Sequence, residues 1–194
     1  MMLTQLSTVK ERLGLTELET TFDPLLTRAI QAVSAWFDHR CNRSFAREVD
    51  AVHEFPADET ELRPPCYPIE SVSRFELKSD EINGWVVQPD TRFLLRRRCV
   101  ISLHTRLSTY LDQGRVIYTG GYVLPGHTPA PGQFPLPADL EHAAVEQVAY
   151  WFQNRDKIGL VRIWEYHATY RQFAEVELLP SVQGLLRKYE RWRA

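Results

Sequence analysis

The residues able to do acid–base or metal chemistry are spread thinly along this chain. Its six histidines, His39, His53, His104, His127, His142 and His167, include no pair at metal-ligand spacing with a third ligand nearby. Neither HExxH nor GxSxG occurs. Glu141 with His142, and Glu165 with His167, are sequence neighbours of a kind that chance supplies often. Without a motif around them they define no active site. Gly120 and Gly121 are followed by no Lys-Ser/Thr pair and sit in no βαβ context, so they read as a backbone device for a sharp turn. Cys41, Cys66 and Cys99 are odd in number and widely spaced, which indicates neither a disulfide framework nor a zinc site. They read as reduced thiols of a cytosolic product. No catalytic residue, metal ligand or cofactor is assigned, and the chain does not read as an enzyme.

Two basic features remain. Arg96, Arg97 and Arg98 lie in or beside a strand, where charge on an edge discourages unwanted pairing. A contact to an acidic partner or to a phosphate backbone is the functional alternative. Arg187, Lys188, Arg191 and Arg193 share the C-terminal segment with Tyr189 and Trp192. Basic residues there complement a helix dipole. An apolar stripe with arginines at its rim also suits a docking helix.

Elements that would carry these groups follow from periodicity. Residues 4–13 place Leu6, Val9 and Leu13 on one helical face, with Thr4 as N-cap and Gly14 as the left-handed stop. Asp23 and Pro24 open a second helix as N-cap and first residue. Leu26, Ile30, Val33 and Phe37 form its buried face, Trp36 widens it, and it ends near Arg40–Asn42. From Ser44 to Tyr122 apolar and polar residues alternate between turn signals. Strands are expected at 49–55, 71–77, 85–87, within 93–103, and at 115–118, with Asn83-Gly84 as a two-residue hairpin turn. A Pro/Gly-rich loop then leads to a helix over about 138–154. A closing helix starts at Pro180 with Val182, Leu185, Leu186, Tyr189 and Trp192 as its stripe. Residues 155–177 are aromatic and basic without clean periodicity and read as a long loop or arm.

The order predicts an α+β fold: a small helical bundle of two N-terminal and two C-terminal helices with an inserted antiparallel β lobe. It is taken as one domain over 1–194, with 1–43, 136–154 and 178–193 helical and 44–122 forming the β lobe. An apolar content of 44% supports a real core, and a net charge of −2 over 194 residues writes no electrostatic footprint for nucleic acid. Aromatic residues make up 11%, with five Trp, which suits a packed core or an interface. The opening Met1-Met2-Leu3-Thr4-Gln5 has no signal-peptide pattern, and no apolar run of about 18 residues suggests a membrane span.

Five pieces of the chain, in order, resemble the head–tail connector (adaptor) proteins of long-tailed phages. Leu3, Thr4, Val9, Lys10, Leu13 and Gly14 are similar to that family's opening helix. Asp23, Leu26, Ile30 and Phe37, followed by Cys41, Asn42, Arg43 and Phe45, resemble its second helix and exit. Tyr67-Pro68-Ile69 with Ser71-Val72 is similar to its turn into a strand. Tyr118, Gly120, Gly121 and Tyr122, followed by Leu136, Pro137, Asp139 and Leu140, resemble its sheet-to-helix joint. Leu179, Pro180, Val182, Leu185, Leu186 and Tyr189 are similar to its closing helix. The chain departs from the pattern in a longer sheet region between Leu77 and Arg115, and in its aromatic residues over 158–175.

The resemblance implies a structural virion protein, made in the host cytoplasm and placed in the head–tail neck. Copies would form a homo-oligomeric, dodecameric ring beneath the portal protein, extend the DNA channel, and offer a platform to a stopper or tail-terminator protein. Such rings close through head-to-tail interfaces. It implies no cofactor, no membrane partner and only transient passage of genomic DNA. Interface anchors are expected at Trp164, Tyr166, Tyr170, Phe173, Leu185, Tyr189 and Trp192, with Arg187 and Arg191 at the rim. A tail-completion or stopper neck protein, a nucleic-acid-binding module using Arg96–Arg98 and the C-terminal helix, and a small enzyme of unrecognised type are the alternatives.

Overall fold

A computed structural model describes residues 2–156 and 177–191. In chain order it has helices α1 (Leu6–Leu13) and α2 (Asp23–Cys41). Nine strands follow: β1 (Glu48–Pro56), β2 (Glu61–Leu62), β3 (Ile69–Lys78), β4 (Val86–Val87), β5 (Phe93–Arg96), β6 (Val100–Leu103), β7 (Gln113–Gly120), β8 (Tyr122–Val123) and β9 (Phe134–Pro135). Helices α3 (Ala138–Gln153) and α4 (Pro180–Leu186) come last, α4 running into a 3-10 turn over Arg187–Tyr189. The described residues of Met1–Cys41 and Pro137–Glu190 form one compact unit, and those of Asn42–Leu136 with Arg191 form a second. The fold class is α+β, as the element order predicts.

The helical unit is built on an apolar stripe. Leu26, Ile30, Val33 and Phe37 of α2 are buried, together with Val9 of α1, Leu140, Val145 and Val148 of α3, and Val182 and Leu186 of α4. Each such side chain contributes about 1.5–3 kcal/mol through the apolar area it withdraws from water. Three aspects of the helices differ from the sequence reading. Thr4 is not the cap of α1: the N-cap is Gln5, with no side-chain capping bond. Thr4 is instead buried, and the neighbouring Leu3 amide donates to Ser34 Oγ at 2.9 Å. The α2 helix starts one residue early, since the Phe22 carbonyl accepts from the Leu26 amide at 2.9 Å. The closing helix is shorter than the stripe suggests, because the chain tightens at Arg187 and Glu190 is extended (φ −60°, ψ 132°). Gly14 does end α1 in the left-handed conformation (φ 70°).

The β unit has two main sheets. The larger runs β1-β7-β3-β4 and the smaller β2-β6-β5, all antiparallel. Strands β8 and β9 form a short parallel pair. A register shift between Glu48 and Ala51, with Asp50 at φ 55°, marks a bulge in β1. Ala51, Phe55, Phe75, Ile101, Val116 and Tyr118 form the core between the sheets. Tyr118 is fully buried, and its hydroxyl accepts from the Cys66 amide at 3.1 Å.

Gly120 and Gly121 are the expected backbone device. A Cβ on Gly120 would stand 2.5 Å from the Cys66 carbonyl oxygen, and one on Gly121, whose φ is 97°, would stand 2.4 Å from the Ala46 carbonyl oxygen. The two-residue hairpin at Asn83-Gly84 does not form. Strand β3 pairs with β4 through Leu77 and Val86, leaving a longer loop between them. The Asp80 carboxylate explains this: it accepts from the Ile82 and Asn83 amides at 2.9 and 2.7 Å and from the Asn83 side chain at 2.7 Å. That Asx-type capture builds a local turn that competes with the tight one.

Candidate interface surfaces

Among the described residues, no group of three His, Cys, Asp or Glu could hold a metal ion, and no helix is long and apolar enough to cross a membrane. His53 stands on β1. Burial first, then the positive charge of Arg191, pushes its imidazole down from 6.5 to about 4. His142 and Glu141 line an open groove of about 370 Å³ together with Thr8 and Glu11. Arg12, on the rim, is held by the Glu146 carboxylate at 2.6 and 3.1 Å. Glu165 and His167 lie outside the described residues.

The predicted interface anchors divide in the same way. Trp164, Tyr166, Tyr170, Phe173 and Trp192 lie outside the described residues. Leu185 is half-buried on α4, and Arg187 is exposed on the 3-10 turn. The Tyr189 hydroxyl donates to Asp139 Oδ1 at 2.7 Å. Arg191 donates from Nη1 to the Arg63 carbonyl at 2.7 Å. Beside α4, Trp36, His39, Arg40, Leu178 and Gln183 line an open groove of about 470 Å³. Trp36 meets Trp151 edge to face at 5.9 Å and remains 42% exposed.

Two further surfaces stand out, of which only the second carried a sequence signal, in Arg96–Arg98. The first is the loop between α1 and α2. Lys10 is 4% exposed, yet it is charged at its tip. Its ammonium donates to Asp23 Oδ1 at 2.9 Å and to the Glu17 carbonyl at 3.1 Å. The Glu19 carboxylate accepts from the Thr16 amide at 2.7 Å and from the Thr16 hydroxyl at 3.1 Å. Those bonds hold the Glu19 carboxyl below the usual carboxylate range. Between these anchored points Leu18 is 92% exposed. A buried lysine and an acid–threonine clasp thus fix a loop in which Leu18, unlike Leu15 and Phe22, stands fully in water.

The second surface is β5, the edge strand of the smaller sheet. Alternation turns Phe93 and Leu95 toward the core and leaves Arg92, Leu94 and Arg96 outward, Leu94 being 56% exposed. Arg97 and Arg98 are not strand residues. They form the turn between β5 and β6 with φ 49° and 54°, closed by the Cys99 amide on the Arg96 carbonyl at 3.1 Å. Two-residue turns of this hand favour Asn and Gly. An arginine in the left-handed region costs roughly 1–2 kcal/mol. Arg96 is paired with Glu61 at 3.0 Å and Arg98 lies over the Phe134 ring at 5.0 Å, while the Ile69 amide donates to the Arg98 carbonyl at 2.7 Å. Arg97 is exposed at the tip.

On the opposite sheet, Glu76 is 4% exposed and lies between Arg74, at 2.8 Å, and Arg115, whose guanidinium also packs 4.3 Å from the Trp85 ring centre. Burial raises the Glu76 carboxyl, but the two arginine hydrogen bonds outweigh it and leave the group below its ordinary value.

No model of a known protein family matches the sequence, and no curated protein matches it. Solved structures do. The chain is similar to one in the neck of an empty gene transfer agent particle computed with C6 symmetry, with a TM-score of 0.59 and 14% identity over 97% of this chain and 89% of that one. It is likewise similar to a chain in the virion of a native gene transfer agent particle, with a TM-score of 0.57 and 14% identity over the same shares. At that identity the likeness is one of fold, and it runs almost end to end.

Proposed function

We propose that this chain is a structural neck protein of a phage-like particle, and within the neck a head–tail connector of the adaptor kind. It acts as a ring subunit beneath the portal, joins the DNA-filled head to the tail, and lines or extends the DNA channel. The observation that carries this is the fold likeness to a gene transfer agent neck chain over 97% of the residues. The adaptor-like motifs from α1 to α4 support it independently. A sixfold-averaged neck accommodates six copies or twelve, so the dodecamer stands as the expected stoichiometry. Its partners are the portal protein above, a stopper or tail-terminator protein below, and its own copies alongside. A net charge of −2 suits a channel that passes DNA without holding it, since many lysine and arginine contacts would retain the duplex.

The test is cryo-electron microscopy of portal-bearing capsids that lack this chain, imaged before and after it is added. Ring density appearing under the portal supports the connector. Density only at the tail-proximal end of an existing neck favours a stopper. No density, together with salt-dependent retention of the chain on duplex DNA, overturns the neck assignment.

A further inference from the structure

A ring of identical copies needs two different surfaces on each copy, one to give and one to receive. The α1–α2 loop and the β5 edge have matching chemistry. The loop offers Leu18 at 92% exposure between two carboxylate residues, Glu17 and Glu19. The edge offers Leu94 at 56% exposure between two exposed arginines, Arg92 and Arg97. One surface reads acid–leucine–acid and the other base–leucine–base.

We infer that the α1–α2 loop of one copy docks on the β5 edge of a second copy of this chain, Leu18 seating against Leu94 and Glu17 facing the arginines. The inference rests on the ring proposed above. Both partners are already shaped for contact. Lys10, bonded to the Glu17 carbonyl and to Asp23, holds the loop with Leu18 outward, so little ordering cost falls on binding. The Glu61 pairing of Arg96 and the Phe134 contact of Arg98 keep those two cations occupied, while the left-handed turn presents Arg97. A non-glycine turn kept in this conformation is the kind of strain found at contact sites. The edge strand also needs cover, because an unpaired edge with an outward leucine is a template for wrong pairing. An apolar centre within a polar, solvent-accessible rim is the common anatomy of an interface.

The experiment uses the full chain in three forms. The first is wild type, assayed for ring formation on portal-bearing capsids. The second is a set of surface variants in the same assay: Leu18→Asp, Glu17→Arg, Arg97→Glu, and the Glu17→Arg/Arg97→Glu pair. The third is Leu18→Cys/Leu94→Cys in a Cys99→Ser background, oxidised and run on a denaturing gel. Glu17, Leu18, Leu94 and Arg97 are exposed, so these changes leave the fold standing, which circular dichroism checks. Rings at least tenfold less populated for Leu18→Asp and for each single charge reversal, with recovery in the charge-swapped pair and a ladder of covalent multimers, support the contact. Wild-type rings together with unchanged Leu18→Asp rings overturn this inference and leave the ring standing. No wild-type ring but a multimer ladder keeps the copy-to-copy contact and overturns the capsid ring. Neither ring nor ladder overturns both.

Discussion

Lys10→Met isolates the anchor of the α1–α2 loop. The lysine is 4% exposed and its ammonium makes two hydrogen bonds, to Asp23 at 2.9 Å and to the Glu17 carbonyl at 3.1 Å. Methionine keeps the aliphatic stem and its packing but removes both bonds and the charge. A charge-assisted bond contributes about 1.5–3 kcal/mol. Breaking a fully buried pair costs about 3–5 kcal/mol, but the Asp23 side chain is 27% exposed and regains water. The expected loss is therefore about 2–3 kcal/mol, or roughly 4–12 °C in the melting temperature of a protein of this size. Urea titration followed by far-UV circular dichroism measures it. Adding Asp23→Asn closes a double-mutant cycle whose coupling should be about 1–2 kcal/mol. Amide exchange should rise at residues 16–20 and leave the core of α3 unchanged. A Lys10→Met variant within about 0.5 kcal/mol of wild type would refute the anchor.

Other outcomes follow from single contacts. Gly120→Ala should cost about 3 kcal/mol or more, because its Cβ would meet the Cys66 carbonyl backbone at 2.5 Å and no flexible side chain can yield. Gly132→Ala, with open space around it and only a positive φ of 89°, should cost about 1 kcal/mol, and denaturant titration of the two tests the distinction. His53 makes stability fall in acid. Its folded value of about 4 lies below the ordinary 6.5, so the unfolded chain takes the proton first, and stability present above 6.5 is lost as pH falls toward 4. The full shift is worth about 3.4 kcal/mol, and partial exposure reduces it to about 2 kcal/mol. His53→Gln should flatten that acid limb in a pH series of urea melts, and an unchanged limb would count against it. Glu76→Gln should cost about 2–3 kcal/mol by leaving Arg74 and Arg115 close together without their shared carboxylate, and thermal melting reads it directly.

The helices that carry long apolar stripes were legible in the sequence, and so was the α+β order. Leu26, Ile30, Val33 and Phe37 recur at helical spacing because burial dictates that pattern, and all four are buried. Strand β2, and the β8–β9 pair, have two residues each, too few for alternation to register. Asn83-Gly84 carried the sequence signal of a tight hairpin, but the Asp80 side chain competed for the same amides. Helix capping failed at Thr4 because tertiary burial overrode the local preference.

The candidate site was harder to read for a related reason. Lys10 belongs to a residue type that is almost never buried unless paired, and its partner Asp23 lies beyond a loop. No local pattern marks that distance. Leu18 reads as one more apolar residue, and only the fold shows it standing in water. The turn at Arg97-Arg98 lacks the Asn or Gly that would have announced it. Arg191 and Tyr189, expected as rim and anchor of a docking helix, have polar partners within the chain, at Arg63 and Asp139.

The most direct test is the mass of the purified chain, alone and after incubation with portal-bearing capsids that lack it. A neck ring predicts a fixed added mass per capsid equal to six or twelve chains, appearing under the portal and unaffected by nuclease. No fixed added mass, with the chain eluting instead on duplex DNA at physiological salt, would contradict it.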